Sequence, residues 1–270
     1  MKLKKADIKI VVATHKPYQM PVDKMYLPVQ VGASGKESIG YIRDDEGENI
    51  SYKNKNYCEL TGLYWAWKNT KSDYLGLVHY RRHFTRKKVI RLFSKSGKWN
   101  NVVDFKYLTE KIFNGANDIK IILPLKRNYF IETNYSQYIH AHHAEDLDIT
   151  QKILQEKYPD YIKAYKLVMK DTKGHRFNMF IMERSLADQY CAWLFDILFE
   201  LEKRLDISNY SDNDKRVFGF VSERLLDVWI EKNRYSYVEL PALYMEKRSW
   251  VKKITNFILR KIKYKRAENE

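Results

Sequence analysis

Cysteine is scarce in this chain: Cys58 and Cys191 stand far apart, each within an apolar helical pattern. Two isolated thiols give neither a disulfide framework nor a zinc-ligand spacing, and they fit buried free thiols in a reducing compartment. No apolar run approaches the length of a membrane span. Met1 to Asp7 leads straight into a strand pattern, without the apolar region of a secretory signal, so a cytoplasmic protein is expected. Also absent are Gly-x-x-x-x-Gly-Lys, Gly-x-Gly-x-x-Gly and Gly-x-Ser-x-Gly, which removes three common routes to phosphate binding and acyl transfer. There is no internal repeat and no low-complexity segment.

Acidic residues are missing from one stretch in particular. Between Lys247 and Arg266 there are none, and the tail 247–270 carries +7 of the formal +15. Trp250, Val251, Ile254, Phe257, Ile258 and Ile262 recur there at helical spacing, which reads as a basic amphipathic helix for an anionic membrane surface. The alternative is a solvated helix packed on the body of the domain. Residues 1–246 are expected to form one domain.

What the chain does have is alternation of strand and helix patterns from start to end, so an α/β fold with a mixed sheet flanked by helices is expected. Ile8 to Ala13, Tyr26 to Val31, Tyr74 to Val78, Asp118 to Leu123, Phe177 to Met182 and Tyr237 to Tyr244 (interrupted at Pro241) read as strands. Asn56 to Glu59 has the form of a capping box opening a helix with Leu60, Leu63, Tyr64 and Trp67 on one face. On that reading Glu59 is a cap, with a catalytic carboxylate as the alternative. Further helices are expected over Leu147 to Lys170, broken at Pro159, over Ser185 to Leu205, and after Ser211-Asp212-Asn213-Asp214. Gly32 to Asn54 is a polar loop, and Arg86 to Lys98 is a basic stretch without periodicity.

One stretch concentrates the chemistry. The apolar run Tyr74 to Val78 gives way at once to His79, Tyr80, Arg81, Arg82 and His83. In an open α/β sheet, ligands bind beyond the carboxyl ends of the strands. Guanidinium forks suit phosphate oxygens, so a phosphorylated ligand is the natural expectation there. A solvated turn with surface ion pairs is the competing reading. Thr14 and His15 close the first strand before Pro17, either beside a nucleotide base or ribose or as a turn held by the Thr14 hydroxyl. A second polar cluster holds His140, His142, His143, Glu145, Asp146 and Asp148. Its spacing matches no common zinc pattern, and acids at a helix start are favoured by the dipole alone.

The pieces Val11-Val12-Ala13-Thr14-His15-Lys16-Pro17, Asn54 to Thr61, Gly76-Leu77-Val78-His79-Tyr80-Arg81-Arg82, His142 to Asp148, Phe177-Asn178-Met179-Phe180 and Val217 to Leu225 occur in that order. Together they resemble a bacterial family of capsular, exopolysaccharide and O-antigen glycosyltransferases, long catalogued only as a domain of unknown function. The resemblance spans roughly residues 8 to 245. It implies a GT-A-like, Rossmann-like fold and transfer of a sugar from a UDP-sugar to a glycan or lipid-linked acceptor, with inversion. Some relatives resemble galactofuranosyltransferases, which suggests UDP-galactofuranose as donor. Most GT-A enzymes place an Asp-x-Asp metal motif where His79, Tyr80 and Arg81 stand here. The resemblance therefore implies a donor site of Thr14, His15, His79, Tyr80, Arg81, Arg82 and Asn178, with Arg81 and its neighbours neutralising the departing UDP. No metal is expected to be required, although Mn or Mg would be the usual cofactor of such a fold.

Inverting transfer needs a carboxylate to take the acceptor's proton. Asp146 and Glu223 are the candidates, with Asp148 behind them, and His140, His142 and His143 are expected to contact the acceptor. With the tail, this places the protein at the inner face of the cell membrane. Two other classes stand beside it: a basic nucleic-acid-binding protein, which the absence of a recognised motif disfavours, and a non-catalytic membrane-associated assembly factor.

Overall fold

The computed structural model describes residues 6–86, 98–113 and 119–246. The expected tail helix and most of the basic stretch after Arg86 lie outside them. Eleven strands are described: β1 (Ile8–Thr14), β2 (Tyr26–Gln30), β3 (Ile42–Arg43), β4 (Tyr74–His79), β5 (Arg82–Phe84), β6 (Ile121–Pro124), β7 (Arg127–Asn128), β8 (Lys173–Gly174), β9 (Phe180–Glu183), β10 (Val238–Leu240) and β11 (Ala242–Tyr244). The main sheet runs β10-β6-β9-β4-β1-β2-β3. Its pairs are parallel except at β9, which is antiparallel to both β4 and β6. This is the mixed α/β sheet expected from the alternation of elements.

The strands are apolar on both faces because both faces are covered. In β1, Val11 and Ala13 enter one core while Ile8, Ile10 and Val12 enter the other. The same period of two sends Phe180 and Met182 of β9 to the first core, and Ile181 to the second. The first core is closed by the helices Leu60–Asn69, Ala144–Lys157, Ile162–Lys170, Arg184–Arg204 and Val217–Asn233. Val102, Val103, Leu108, Leu240 and Leu243 help close the second. At the middle of the sheet, a Cβ on Gly76 would stand 3.0 Å from the Phe180 carbonyl oxygen and 3.2 Å from Ile10, so β4, β9 and β1 meet around a residue without a side chain. No helix among the described residues is long and apolar enough to cross a membrane.

Two local expectations change. The segment before the first long helix is not a capping box: Glu59 makes no capping bond, and Asn56 donates its amide to the Lys215 carbonyl at 2.7 Å. Instead the chain makes one short helix, Asn54–Tyr57, reverses at Cys58 with φ 53°, and starts again at Leu60. The strand expected from Phe177 begins only at Phe180, because Phe177 and Asn178 both take left-handed backbone, φ 79° and 52°. A non-glycine residue there costs about 1–2 kcal/mol, and such strain gathers at functional sites.

Candidate functional site

The basic end of β4 is a tight reversal. His79 pairs with Arg82 across the turn, and β5 then runs antiparallel to β11. The turn turns the side chains of His79, Arg81 and Arg82 toward a cavity of about 280 Å³. Two other chain reversals supply its walls. The Cys58 reversal brings in Cys58 and Glu59, and the left-handed pair after Arg176 brings in Phe177. The helix Val217–Asn233 lines it with Gly219, Phe220, Glu223 and Arg224, positions that share one face of its first turns. Arg127, Tyr129, Gln137, His142, Arg176 and Arg216 complete it.

The lining is strongly cationic: Arg81, Arg82, Arg127, Arg176, Arg216 and Arg224 against Glu59 and Glu223. Two of the arginines are committed to the wall. Arg176 donates to the His175 carbonyl at 2.5 Å and to Asn134, and lies 3.7 Å from Asp227. Arg224 donates to Gln137 at 2.7 Å, to the Phe220 carbonyl at 2.9 Å and to Glu223 at 3.2 Å. Arg81 reaches Glu246 at 3.4 Å. Arg82, Arg127 and Arg216 have no carboxylate partner among the described residues. Arg82 lies over the Phe177 ring at 4.4 Å, and Arg216 donates to the Cys58 sulfur at 3.1 Å.

Buried donors without acceptors sharpen this picture. The Nε groups of Arg81, Arg82 and Arg224 are buried and have no hydrogen-bond partner among the described residues. A buried guanidinium N–H without an acceptor is costly, and with Arg224 committed to the wall, those of Arg81 and Arg82 beside the cavity fit an anionic ligand with several oxygens.

His79 contributes no positive charge. Burial, then the Arg82 and Arg81 guanidiniums, push its imidazole down to about 2, so it is neutral at physiological pH. Burial and the neighbouring Lys16 and Arg81 lower His15 likewise. Burial raises the Cys58 thiol to about 11, which keeps it protonated and a poor nucleophile. Burial also raises the Glu59 carboxyl, against the Asn178 amide that holds it down.

The sequence-derived candidates separate into three groups. His79, Arg81, Arg82, His142 and Glu223 line the cavity. Tyr80 and Asn178 stand behind the wall: Tyr80 is buried under His15 and Tyr18, and Asn178 is buried and donates to Glu59. The remainder lie elsewhere. The Thr14 hydroxyl donates to the Lys16 carbonyl at 2.7 Å, which is the turn-holding reading. His140 meets Glu132 at 2.6 Å, and His143 stacks on Tyr210 at 3.9 Å. Asp148 is exposed and accepts from Tyr135.

Asp146 is buried away from the cavity. It accepts hydrogen bonds from Tyr138 at 2.7 Å and Tyr210 at 2.8 Å, which makes it a structural clamp at a helix start. The residues not anticipated as lining are Cys58, Glu59, Arg127, Tyr129, Gln137, Arg176, Phe177, Arg216, Gly219, Phe220 and Arg224. Among the described residues no cluster of three His, Cys, Asp or Glu side chains is placed to hold a metal ion.

The family model described as Domain of unknown function (DUF4422) matches residues 9–234. The chain belongs to this family. A solved structure described as the apo form of the bifunctional glycosyltransferase WbbM is 32% identical to this DUF4422 chain, with a TM-score of 0.76. The match covers 89% of this chain and 46% of that one, so the DUF4422 chain spans about half of its relative's length. No curated protein matches the chain. The fold is thereby GT-A-like, and the arginine-lined cavity lies at the carboxyl end of β4.

Proposed function

We propose that this DUF4422 chain is a glycosyltransferase that binds a UDP-sugar in the arginine-lined cavity and transfers the sugar, with inversion, to a glycan or lipid-linked acceptor. The observation that carries the reading is the arginine-lined cavity itself, where Arg82, Arg127 and Arg216 make no salt bridge among the described residues and the Arg82 Nε is buried without an acceptor. The similarity to a bifunctional glycosyltransferase supports it.

In this reading the diphosphate lies against Arg82, Arg216 and Arg127, the lining arginines that make no salt bridge to a carboxylate among the described residues. As the anomeric carbon–oxygen bond breaks, its electron pair passes to the β-phosphate. Fixed guanidinium donors stabilise that charge without reorganising, the role a metal plays in other sites. Arg176 and Arg224 keep the wall in shape through their own bonds. The acceptor oxygen attacks the opposite face of the anomeric carbon and gives up its proton to a carboxylate of the cavity. Galactofuranose as the sugar, a capsular or O-antigen product and a membrane-held acceptor remain within the proposal, supported by the motif resemblance and the basic tail.

Thermal shift with UDP, UDP-hexoses, UDP-galactofuranose and a short oligonucleotide tests it. Stabilisation by UDP and at least one UDP-sugar is expected, because a ligand that binds only the folded state raises its stability. Stabilisation by the oligonucleotide alone would favour a nucleic-acid-binding protein, and no response to any nucleotide would favour a non-catalytic assembly factor.

A further inference from the structure

On that reading of the cavity, we propose that Glu59 is the general base and that Asn178 positions it. Two carboxylates line the cavity, and their surroundings differ. Glu223 has both oxygens engaged: Oε1 accepts the Phe177 backbone N–H at 3.0 Å and Oε2 accepts from Arg224 at 3.2 Å. It is spent on holding the left-handed Phe177 turn and one arginine of the wall. Glu59 accepts the Asn178 amide at 2.9 Å on Oε1 and is otherwise met only by its own backbone N–H. Its Oε2 has no side-chain donor among the described residues, and Glu59 is part of the cavity lining.

The structure goes to some length to set this one carboxylate. Cys58 takes left-handed backbone immediately before it, and Asn178 takes left-handed backbone to reach it. Asn178 is fixed in turn, accepting from the Ser222 hydroxyl at 2.8 Å and donating to the Gly219 carbonyl at 3.1 Å. The amide orientation that presents Nδ2 to Glu59 is thus set by the Gly219 carbonyl, which can only accept and takes the second Nδ2 hydrogen. A mere surface acid or helix cap needs none of this. Partial burial makes Glu59 more basic than an exposed carboxylate, which suits a proton acceptor. The charged and titratable groups facing it are Cys58 on its own segment, Arg82 on β5, and Arg216 and Glu223 at the start of the last long helix.

The step balances without a co-reactant. The acceptor hydroxyl oxygen forms its bond to the anomeric carbon, and the bond from that carbon to the diphosphate breaks with its electron pair. The hydroxyl proton moves to Glu59 and from there to solvent, and UDP leaves the arginines.

The test compares Glu59→Gln with Glu223→Gln in the full chain, reading UDP binding by calorimetry and UDP release from UDP-hexoses and UDP-galactofuranose. Glu59→Gln is expected to bind UDP as wild type does and to lose kcat by roughly 10²–10⁴-fold, the usual span for a general base. Glu223→Gln is expected to lose far less kcat, with its effect falling on KM and on thermal stability. Asn178→Ala supplies a readout that a purely structural role would not move. It removes a hydrogen bond to the charged form of Glu59, so the acid limb of kcat/KM should shift to higher pH.

Full turnover by Glu59→Gln with UDP binding intact overturns the assignment and leaves the nucleotide reading standing. A wild-type chain that neither binds UDP nor releases it from any of these donors overturns both.

Discussion

The Asn178 amide donates to the Glu59 carboxylate at 2.9 Å, joining two left-handed turns whose residues stand 119 positions apart in the chain. The link is a compromise between folding and chemistry. Burial raises the Glu59 carboxyl, so the folded state holds its proton more tightly than the unfolded chain does. Stability from this group is present at low pH and is lost as pH rises above the ordinary value of 4.5 through the raised folded value. Glu59→Gln removes that loss. It should therefore melt higher than wild type at pH 7–8 by calorimetry while turning over poorly, and the gap in Tm should close as pH approaches 4.

Arg82 is the guanidinium proposed to carry most of the diphosphate contact, lying over Phe177 with a buried Nε and no salt bridge among the described residues. Arg82→Ala should weaken UDP binding about 10–100-fold, the worth of a charged hydrogen bond or two, with little change in Tm. Arg82→Lys should recover only part of this, because an ammonium cannot present a planar fork. Unchanged affinity in calorimetric titration would remove Arg82 from the diphosphate site.

Asp146 offers the opposite pattern. Asp146→Asn replaces an acceptor shared by Tyr138 and Tyr210 with a group that can accept from only one of them well. Stability should fall by about 1–3 kcal/mol in denaturant titration, while kcat measured by UDP release stays near wild type. A collapse of kcat with stability intact would return Asp146 to the chemistry.

Acid should destabilise the fold through its buried histidines. Burial pushes His83 down to about 4 and, with Arg82 and Arg81, pushes His79 down to about 2, from an ordinary 6.5. Below pH 6.5 the unfolded chain binds protons that the folded chain refuses, so stability rises with pH through this window and falls as pH drops through it. The His83 share is on the order of 3 kcal/mol across its full window. His83→Gln keeps a donor for the Tyr80 carbonyl and should flatten the dependence of Tm on pH between about 4 and 6.5.

Gly76→Ala tests the centre of the sheet. The new Cβ would press on the Phe180 carbonyl, which belongs to the paired strand and cannot swing aside. A loss of about 1–3 kcal/mol in denaturant titration is expected, with UDP affinity unchanged.

Much of this was legible before the structure. The β-branched and apolar runs at Ile8, Tyr74 and Ile121 name the central strands, because strands buried on both faces leave little ambiguity. His79, Arg81 and Arg82 were legible because charge begins where the apolar run stops. Glu59 was misread as a cap: Asn56-Tyr57-Cys58-Glu59 satisfies the local pattern, while the left-handed turn at Cys58 is imposed by contacts far along the chain. Arg176, Arg216 and Arg224 carry no local signal, since only tertiary packing gathers them around one space. Asp146 shows the limit from the other side: it is buried, bonded to two tyrosines and not among the lining residues, and nothing local in the sequence separates such an acid from a reactive one.

The most direct measurement is a calorimetric titration of UDP into the full chain in EDTA, repeated with Arg82→Ala. Saturable binding by wild type, weakened about 10–100-fold in the variant, is what the arginine-lined cavity predicts. No heat with wild type, or equal affinity in both proteins, would contradict it.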